Sequence, residues 1–139
     1  PETAQAVFEQ YMPRFAGDRL PEQPIGRALS IADKLDNIAA TFSRGLVPTG
    51  SQDPFALRRQ AIGIINMIDD GKIHWSLRKG LSAAIKLLHI NTNESEQILS
   101  QADDFSGRES RRSCRTARSP MISLMLLRES LWMILKRFS

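Results

Sequence analysis

The run Pro24-Ile25-Gly26-Arg27-Ala28-Leu29-Ser30-Ile31-Ala32-Asp33-Lys34-Leu35-Asp36-Asn37-Ile38-Ala39-Ala40-Thr41-Phe42 decides the fold class. From Ile25 onward, apolar residues return at Leu29, Ala32, Leu35, Ile38, Ala39 and Phe42, so one face of a helix carries them all. Pro24 suits the first turn, where its missing N–H costs nothing. Gly45 supplies a stop, and Val47-Pro48-Thr49-Gly50-Ser51-Gln52 is turn chemistry. Asp53 is then predicted to cap a further helix with Pro54 at its first position and Leu57, Ala61, Ile64, Ile65 and Ile68 inward. Two apolar stripes joined by so short a connection are expected to dock against each other.

Working outward, residues 2 to 12 place Ala4, Val7, Phe8 and Tyr11 on one helical face, and Pro13 ends that helix. Residues 14–23, with Gly17-Asp18 and Pro21, read as a loop. Downstream, Asp69-Asp70-Gly71 closes the third helix. A fourth starts near Ser76, carries Leu77, Leu81, Ala84, Ile85 and Leu88 inward, and stops before Asn91. A fifth starts at Asn93, whose side chain caps while Glu96 reaches back, and carries Ile98, Leu99, Ala102 and Phe105. Nothing through residue 107 alternates at period two over a strand's length. The expected class is all-α, a bundle in which helices two, three and four are neighbours through short loops.

At 139 residues and 42% apolar content, the chain suffices for one domain with a modest core. Its apolar runs are a few residues long, against the roughly 20 a helix needs to span a bilayer, so no membrane partner is expected. The start, Pro1-Glu2-Thr3-Ala4-Gln5, lacks an initiator Met and a secretory pattern, and reads as cut from something longer. A single cysteine, Cys114, excludes an internal disulfide or a Cys-rich zinc site and suits a reducing cytosol.

The net charge of +4 invites a nucleic-acid reading, but its location qualifies it. Residues 108–118 hold five arginines (Arg108, Arg111, Arg112, Arg115, Arg118) against Glu109. Nineteen basic residues less these five leave fourteen, matched by fourteen of the fifteen acids. The global charge is therefore the charge of eleven residues.

The block Ala32-Asp33-Lys34-Leu35-Asp36, then Phe42, Gly45 and Pro48-Thr49-Gly50-Ser51-Gln52-Asp53-Pro54-Phe55-Ala56-Leu57-Arg58-Arg59-Gln60-Ala61, resembles the most recognisable stretch of the beta subunit of bacterial heterotetrameric glycyl-tRNA synthetase. Upstream, Glu9-Gln10-Tyr11-Met12-Pro13-Arg14-Phe15-Ala16-Gly17-Asp18-Arg19-Leu20-Pro21 resembles the run before that block, and Asp104-Phe105-Ser106-Gly107-Arg108 a later landmark. The resemblance implies a beta chain that binds tRNA(Gly) in the cytoplasm. Its partner alpha subunit would hold the class II active site and use ATP and Mg to attach glycine. Residues 1–107 would come from the HD-like helical region, short of the anticodon-binding domain, with tRNA positioning and subunit architecture as their work. No active site, cofactor or DNA partner of their own is implied.

HD-type hydrolases hold a metal with His and Asp residues on neighbouring helices. Asp33 resembles the last aspartate of such a set, and the family's usual histidine before the tyrosine is Gln10 here. Asp33 thus stands as a vestigial HD-type position, with no metal expected.

Arg58, Arg59 and Lys34 are the candidate tRNA contacts, the two arginines beside a helix start whose free N–H groups also attract phosphate. The competing reading solvates them or pairs them with acids such as Asp53, and pairs Asp33 and Asp36 in turn. Pro48-Thr49-Gly50-Ser51 lacks the spaced glycines and the lysine of a phosphate loop and reads as a shaped turn. His74 and His89 are isolated, and Trp75 either stacks a base or staples a helix to the core. Two rival classes remain: a metal-dependent HD phosphohydrolase fragment, and a stand-alone helical RNA-binding module using the arginine arm.

Residues 108–139 change texture, first Arg/Ser-rich and then Met/Leu-rich. As written, the arginine tract is expected to be irregular. Residues 109–133 are better explained as translated out of frame. Taking each codon's last base with the next two, Met121-Ile122, Trp132-Met133 and Met133-Ile134 each force an aspartate. The codons of residues 120–127 then permit Tyr-Asp-Leu-Ile-Asp-Ala-Val, similar to the family after its landmark, and residues 135–139 return to register.

Overall fold

The computed structural model describes the backbone of residues 2–49, 51–89 and 92–116 and the side chains of all of these except 92 and 112–116. Among the described residues the regular elements are all helices: α1 (Glu2–Glu9), α2 (Pro24–Ser43), α3 (Leu57–Asp70), α4 (Leu77–Leu87) and α5 (Thr92–Thr116). The helix α2 is central. The other four pack on it, and α5 closes the bundle against α3 and α4. The expected trio of α2, α3 and α4 is therefore a bundle centred on α2, in which the principal neighbours of α3 and α4 are α2 and α5.

The two stripes that opened the reading meet in one core. Leu35, Ile38, Ala39 and Phe42 pack with Leu57, Ala61, Ile64 and Met67 from α3, Leu81 and Ile85 from α4, and Ile98, Ala102 and Phe105 from α5. The Phe42 and Phe105 rings lie 5.4 Å apart at 57°, the tilted geometry that aromatic quadrupoles favour. Each such side chain, wholly withdrawn from water, contributes about 1.5–3 kcal/mol. At the Pro-Thr-Gly-Ser connection, Gln52 N–H donates to Thr49 O at 2.9 Å.

Four local expectations change. The face of α1 expected to be buried is outside: Val7, Phe8 and Tyr11 are about half exposed or more, and Ala4 is exposed. Ala6 and Glu9 turn inward instead. The reason is electrostatic. The start of α2 has no side-chain cap of its own, and the Glu9 carboxylate supplies the anion, accepting Gln23 N–H at 3.1 Å and Gln5 Nε2–H at 3.0 Å. These hydrogen bonds, the one from Gln5 foremost, hold the Glu9 carboxyl below its ordinary value against the opposing effect of burial. Gly26 makes the approach feasible, because a Cβ there would collide with the Glu9 side chain.

Second, the buried face of the first half of α2 is Gly26, Ser30, Ile31 and Lys34, while Leu29 and Ala32 are exposed. Third, α3 begins at Leu57, three residues beyond Pro54. Asp53-Pro54-Phe55-Ala56 forms a turn closed by Ala56 N–H to Asp53 O at 3.1 Å, with Ala56 in the left-handed region at φ 52°. Asp53 still caps from that distance. Finally, α5 continues through Arg108 to Thr116, with Glu109 and Ser110 buried, so the change of texture there coincides with continuous helix. Of the stretch expected to be out of frame, residues 109–133, the part from residue 117 on lies outside the described residues.

Candidate functional site

Residues 10–13 lie over the polar half of α2. Lys34 Nζ donates to Met12 O at 2.9 Å, to Ser30 Oγ at 2.8 Å and to Gln10 O at 3.3 Å, and Ser30 Oγ donates to Met12 O. Lys34 is only 5% exposed. Burial pushes its ammonium below the usual lysine value, partly opposed by the charge of neighbouring Asp33. Its hydrogen bonds to Met12 O and Gln10 O thus fasten the loop to α2, and the residue does not present itself to a phosphate. Gly63 of α3 completes the seam: its missing side chain lets the Pro13 ring approach, and a Cβ there would sit 3.1 Å from Pro13 Cγ. Asp33 accepts from Gln10 Nε2–H at 3.2 Å and from Asn37 Nδ2–H at 3.5 Å, so both amides engage this carboxylate. Among the described residues, no three His, Cys, Asp or Glu side chains gather as metal ligands.

The helix start expected to attract phosphate already holds an anion. Asp53 Oδ1 accepts Leu57 N–H at 2.8 Å and Asp53 Oδ2 accepts Arg58 N–H at 2.9 Å. Arg58 itself turns toward α5, with Nε 3.7 Å from the buried carboxylate of Glu109. Arg59, next in sequence, points the other way. It is exposed and donates through Nη1 to Arg14 O at 3.0 Å, at the edge of the 13–20 loop. Of the three cationic candidates, Arg59 is the one the fold leaves outward.

The 14–19 loop is clasped by Asp18. Its carboxylate accepts Arg14 Nε–H at 3.0 Å, Arg14 N–H at 2.8 Å and Arg19 N–H at 3.0 Å. The Arg14 side-chain hydrogen bond, above all, holds the Asp18 carboxyl down at about 2. The Arg14 and Arg19 guanidiniums lie 5.8 and 6.0 Å from the centroids of Phe15 and Phe8, within cation–π range. Between this loop and the outer face of α3 opens a hollow of about 530 Å³, lined by Phe15, Leu20, Ile62, Asn66 and Asp70 among others, with Arg59 on its wall. Sequence reasoning missed this site. Arg14 and Asp18 at i, i+4 were the available signal, submerged because the segment was read only as a connection.

Elsewhere, the Trp75 ring lies against Gly80 of α4 and near Leu35, as a staple does, and a Cβ on Gly80 would meet it. His89 has its Nδ1 2.8 Å from Leu87 O. Arg108 and Arg111 are exposed on α5, one turn apart, while the side chains of Arg112, Cys114, Arg115 and Arg118 lie outside what the structure describes. No helix of the described residues is long and apolar enough to cross a membrane.

A sequence model described as glycyl-tRNA synthetase beta subunit matches residues 1–121. The chain belongs to the glycyl-tRNA synthetase beta subunit family. Among curated relatives, it is 48% identical over 108 residues to the glycine–tRNA ligase beta subunit of Desulforamulus reducens, covering 76% of this chain and 16% of that protein. It is 51% identical over 104 residues to the Halothermothrix orenii subunit, covering 72% and 15%. It is 59% identical over 68 residues to that of Shouchella clausii, covering 49% and 10%. The family match thus includes α1 to α5 and both walls of the hollow, and the chain spans about one-sixth of the length of the first two relatives.

Proposed function

We propose that these residues form a tRNA-contacting and architectural part of a glycyl-tRNA synthetase beta subunit. It works in the cytoplasm with an alpha subunit that attaches glycine to tRNA(Gly) using ATP and Mg. The observation that carries this reading is the family match over residues 1–121. The outward Arg59 beside the arginine-bearing loop supports the RNA side of it, because an exposed cation meets a phosphate without desolvating the core. The helical core supports the architectural side, since it holds α3 and the loop at a fixed spacing.

Fluorescence anisotropy of labelled tRNA(Gly) with the full 139-residue chain, from 50 to 200 mM salt, tests the reading. Binding should weaken steeply with salt, and Arg59→Ala should lower the slope of log K against log salt by about one, as expected for one lost phosphate contact. Absence of salt-sensitive binding refutes the RNA role. An arm-driven binder would instead lose most of its affinity on Arg108→Ala with Arg111→Ala while ignoring Arg59→Ala.

A further inference from the structure

We infer that the outer face of α1 is an interface inside the beta subunit, covered by an apolar surface from another part of the same polypeptide. The helix has two committed sides. The inner one is taken up by α2, with Ala6 buried and the Glu9 carboxylate accepting Gln23 N–H at 3.1 Å. The outer one carries Ala4, Val7 and Phe8, and Tyr11 extends the row into the turn that begins where Gln10 N–H donates to Ala6 O. Spacing of i, i+3, i+4, i+7 is the stripe of a helix that packs on a partner, and α2 does not occupy that side. With eight residues, α1 makes barely two turns, too few to hold a helix by propensity, so it depends on what packs against it.

The size of the face selects its occupant. Val7, Phe8 and Tyr11 are 51%, 48% and 64% exposed. At about 150–250 Å² for each aromatic side chain, they leave roughly 300 Å² in water. The Arg19 guanidinium, 6.0 Å from the Phe8 centroid, gives this patch a polar rim. A separate protein held in an interface of standard size covers about 800 Å² on each partner. The α1 face offers less than half of that, so a free protein or a second copy of this chain gains too little from it to stay bound. A neighbour in the same polypeptide needs far less, because the tether supplies its effective concentration. Such a neighbour is available in the family, since this bundle matches only 16% of the Desulforamulus reducens subunit and 15% of that from Halothermothrix orenii. The inference rests on family membership and is independent of the RNA role.

The test compares the full 139-residue chain with a chimera, the Desulforamulus reducens beta subunit carrying residues 1–107 of this chain in place of the segment they match. Hydroxyl-radical footprinting read by mass spectrometry reports on Phe8 and Tyr11 in both, without alpha subunit. Both rings should oxidise at least several-fold more slowly in the chimera. Val7→Ser with Phe8→Ser should lower the melting temperature of the chimera by several degrees and barely move that of the chain alone, where these side chains already meet water. Should the chimera not fold, the unmodified Desulforamulus reducens subunit is read at the aligned positions, with the same protection expected. Equal oxidation in the chain and the longer protein overturns the inference. Protection already present in the chain alone also overturns it, and its loss on dilution assigns the face to a second copy. Protection that appears only when alpha subunit is added assigns the face to that partner and overturns the inference as well.

Discussion

Replacing Lys34 with methionine keeps the length of the side chain and removes the ammonium. Two of its hydrogen bonds are short, to Met12 O at 2.9 Å and Ser30 Oγ at 2.8 Å, and the third, to Gln10 O, is 3.3 Å. Hydrogen bonds from a charged donor are worth about 1.5–3 kcal/mol each, so the two short ones amount to roughly 3–6 kcal/mol gross. Against this, methionine escapes the several kcal/mol that burying an ammonium costs, and Met12 O keeps the Ser30 hydroxyl as a donor. The balance is a loss of about 2 kcal/mol, a fall in melting temperature of roughly 6–10 °C for a chain of this size. Urea and thermal unfolding followed by circular dichroism at 222 nm measure it. The same preparation should bind tRNA(Gly) with an unchanged salt slope once folded. Arg59→Ala should show the opposite pattern, with stability held within about 0.5 kcal/mol and a reduced slope. A Lys34→Met protein that melts normally but loses salt-sensitive RNA affinity would mean that the ammonium faces phosphate, and the fastening described above would be wrong.

Phe42→Ala should cost about 3–5 kcal/mol, and a double-mutant cycle with Phe105→Ala should return a coupling of about 0.5–1.5 kcal/mol; strict additivity would refute the ring contact. Gly26→Ala, which helix propensity alone would favour by about 1 kcal/mol, should instead destabilise, because the new Cβ meets Glu9, coming within 2.7 Å of its Cβ. A gain in melting temperature would show that Glu9 does not cap α2. For Asp18, the carboxyl is held at about 2 against an ordinary 3.8. Its contribution is full above the unfolded value and disappears as the pH falls through about 2, so a carboxyl NMR titration with a midpoint near 4 would refute the clasp. The coding DNA should carry a compensating pair of insertions or deletions bracketing residues 109–133, and an uninterrupted frame removes that reading.

Helix identity and the core of this protein were legible in its sequence because apolar periodicity is local. Leu35, Ile38 and Phe42, or Leu81, Ala84 and Ile85, recur at the helical period, and no other packing hides them all. The family resemblance was legible for a similar reason, being carried by contiguous residues around Asp33 and Pro48 to Ala61. Tertiary structure decided where charge goes. That Glu9 would cap a helix fourteen residues away, that Lys34 would be sealed beneath Met12, and that Arg58 would turn inward while Arg59 faces out follow from where α1, the 13–20 loop and α5 settle on α2 and α3. A buried polar group is stable only with partners, and those partners lie far away along the chain. Composition cannot distinguish such a residue from one in water; the fold does, by bringing its acceptors to it or leaving it outside.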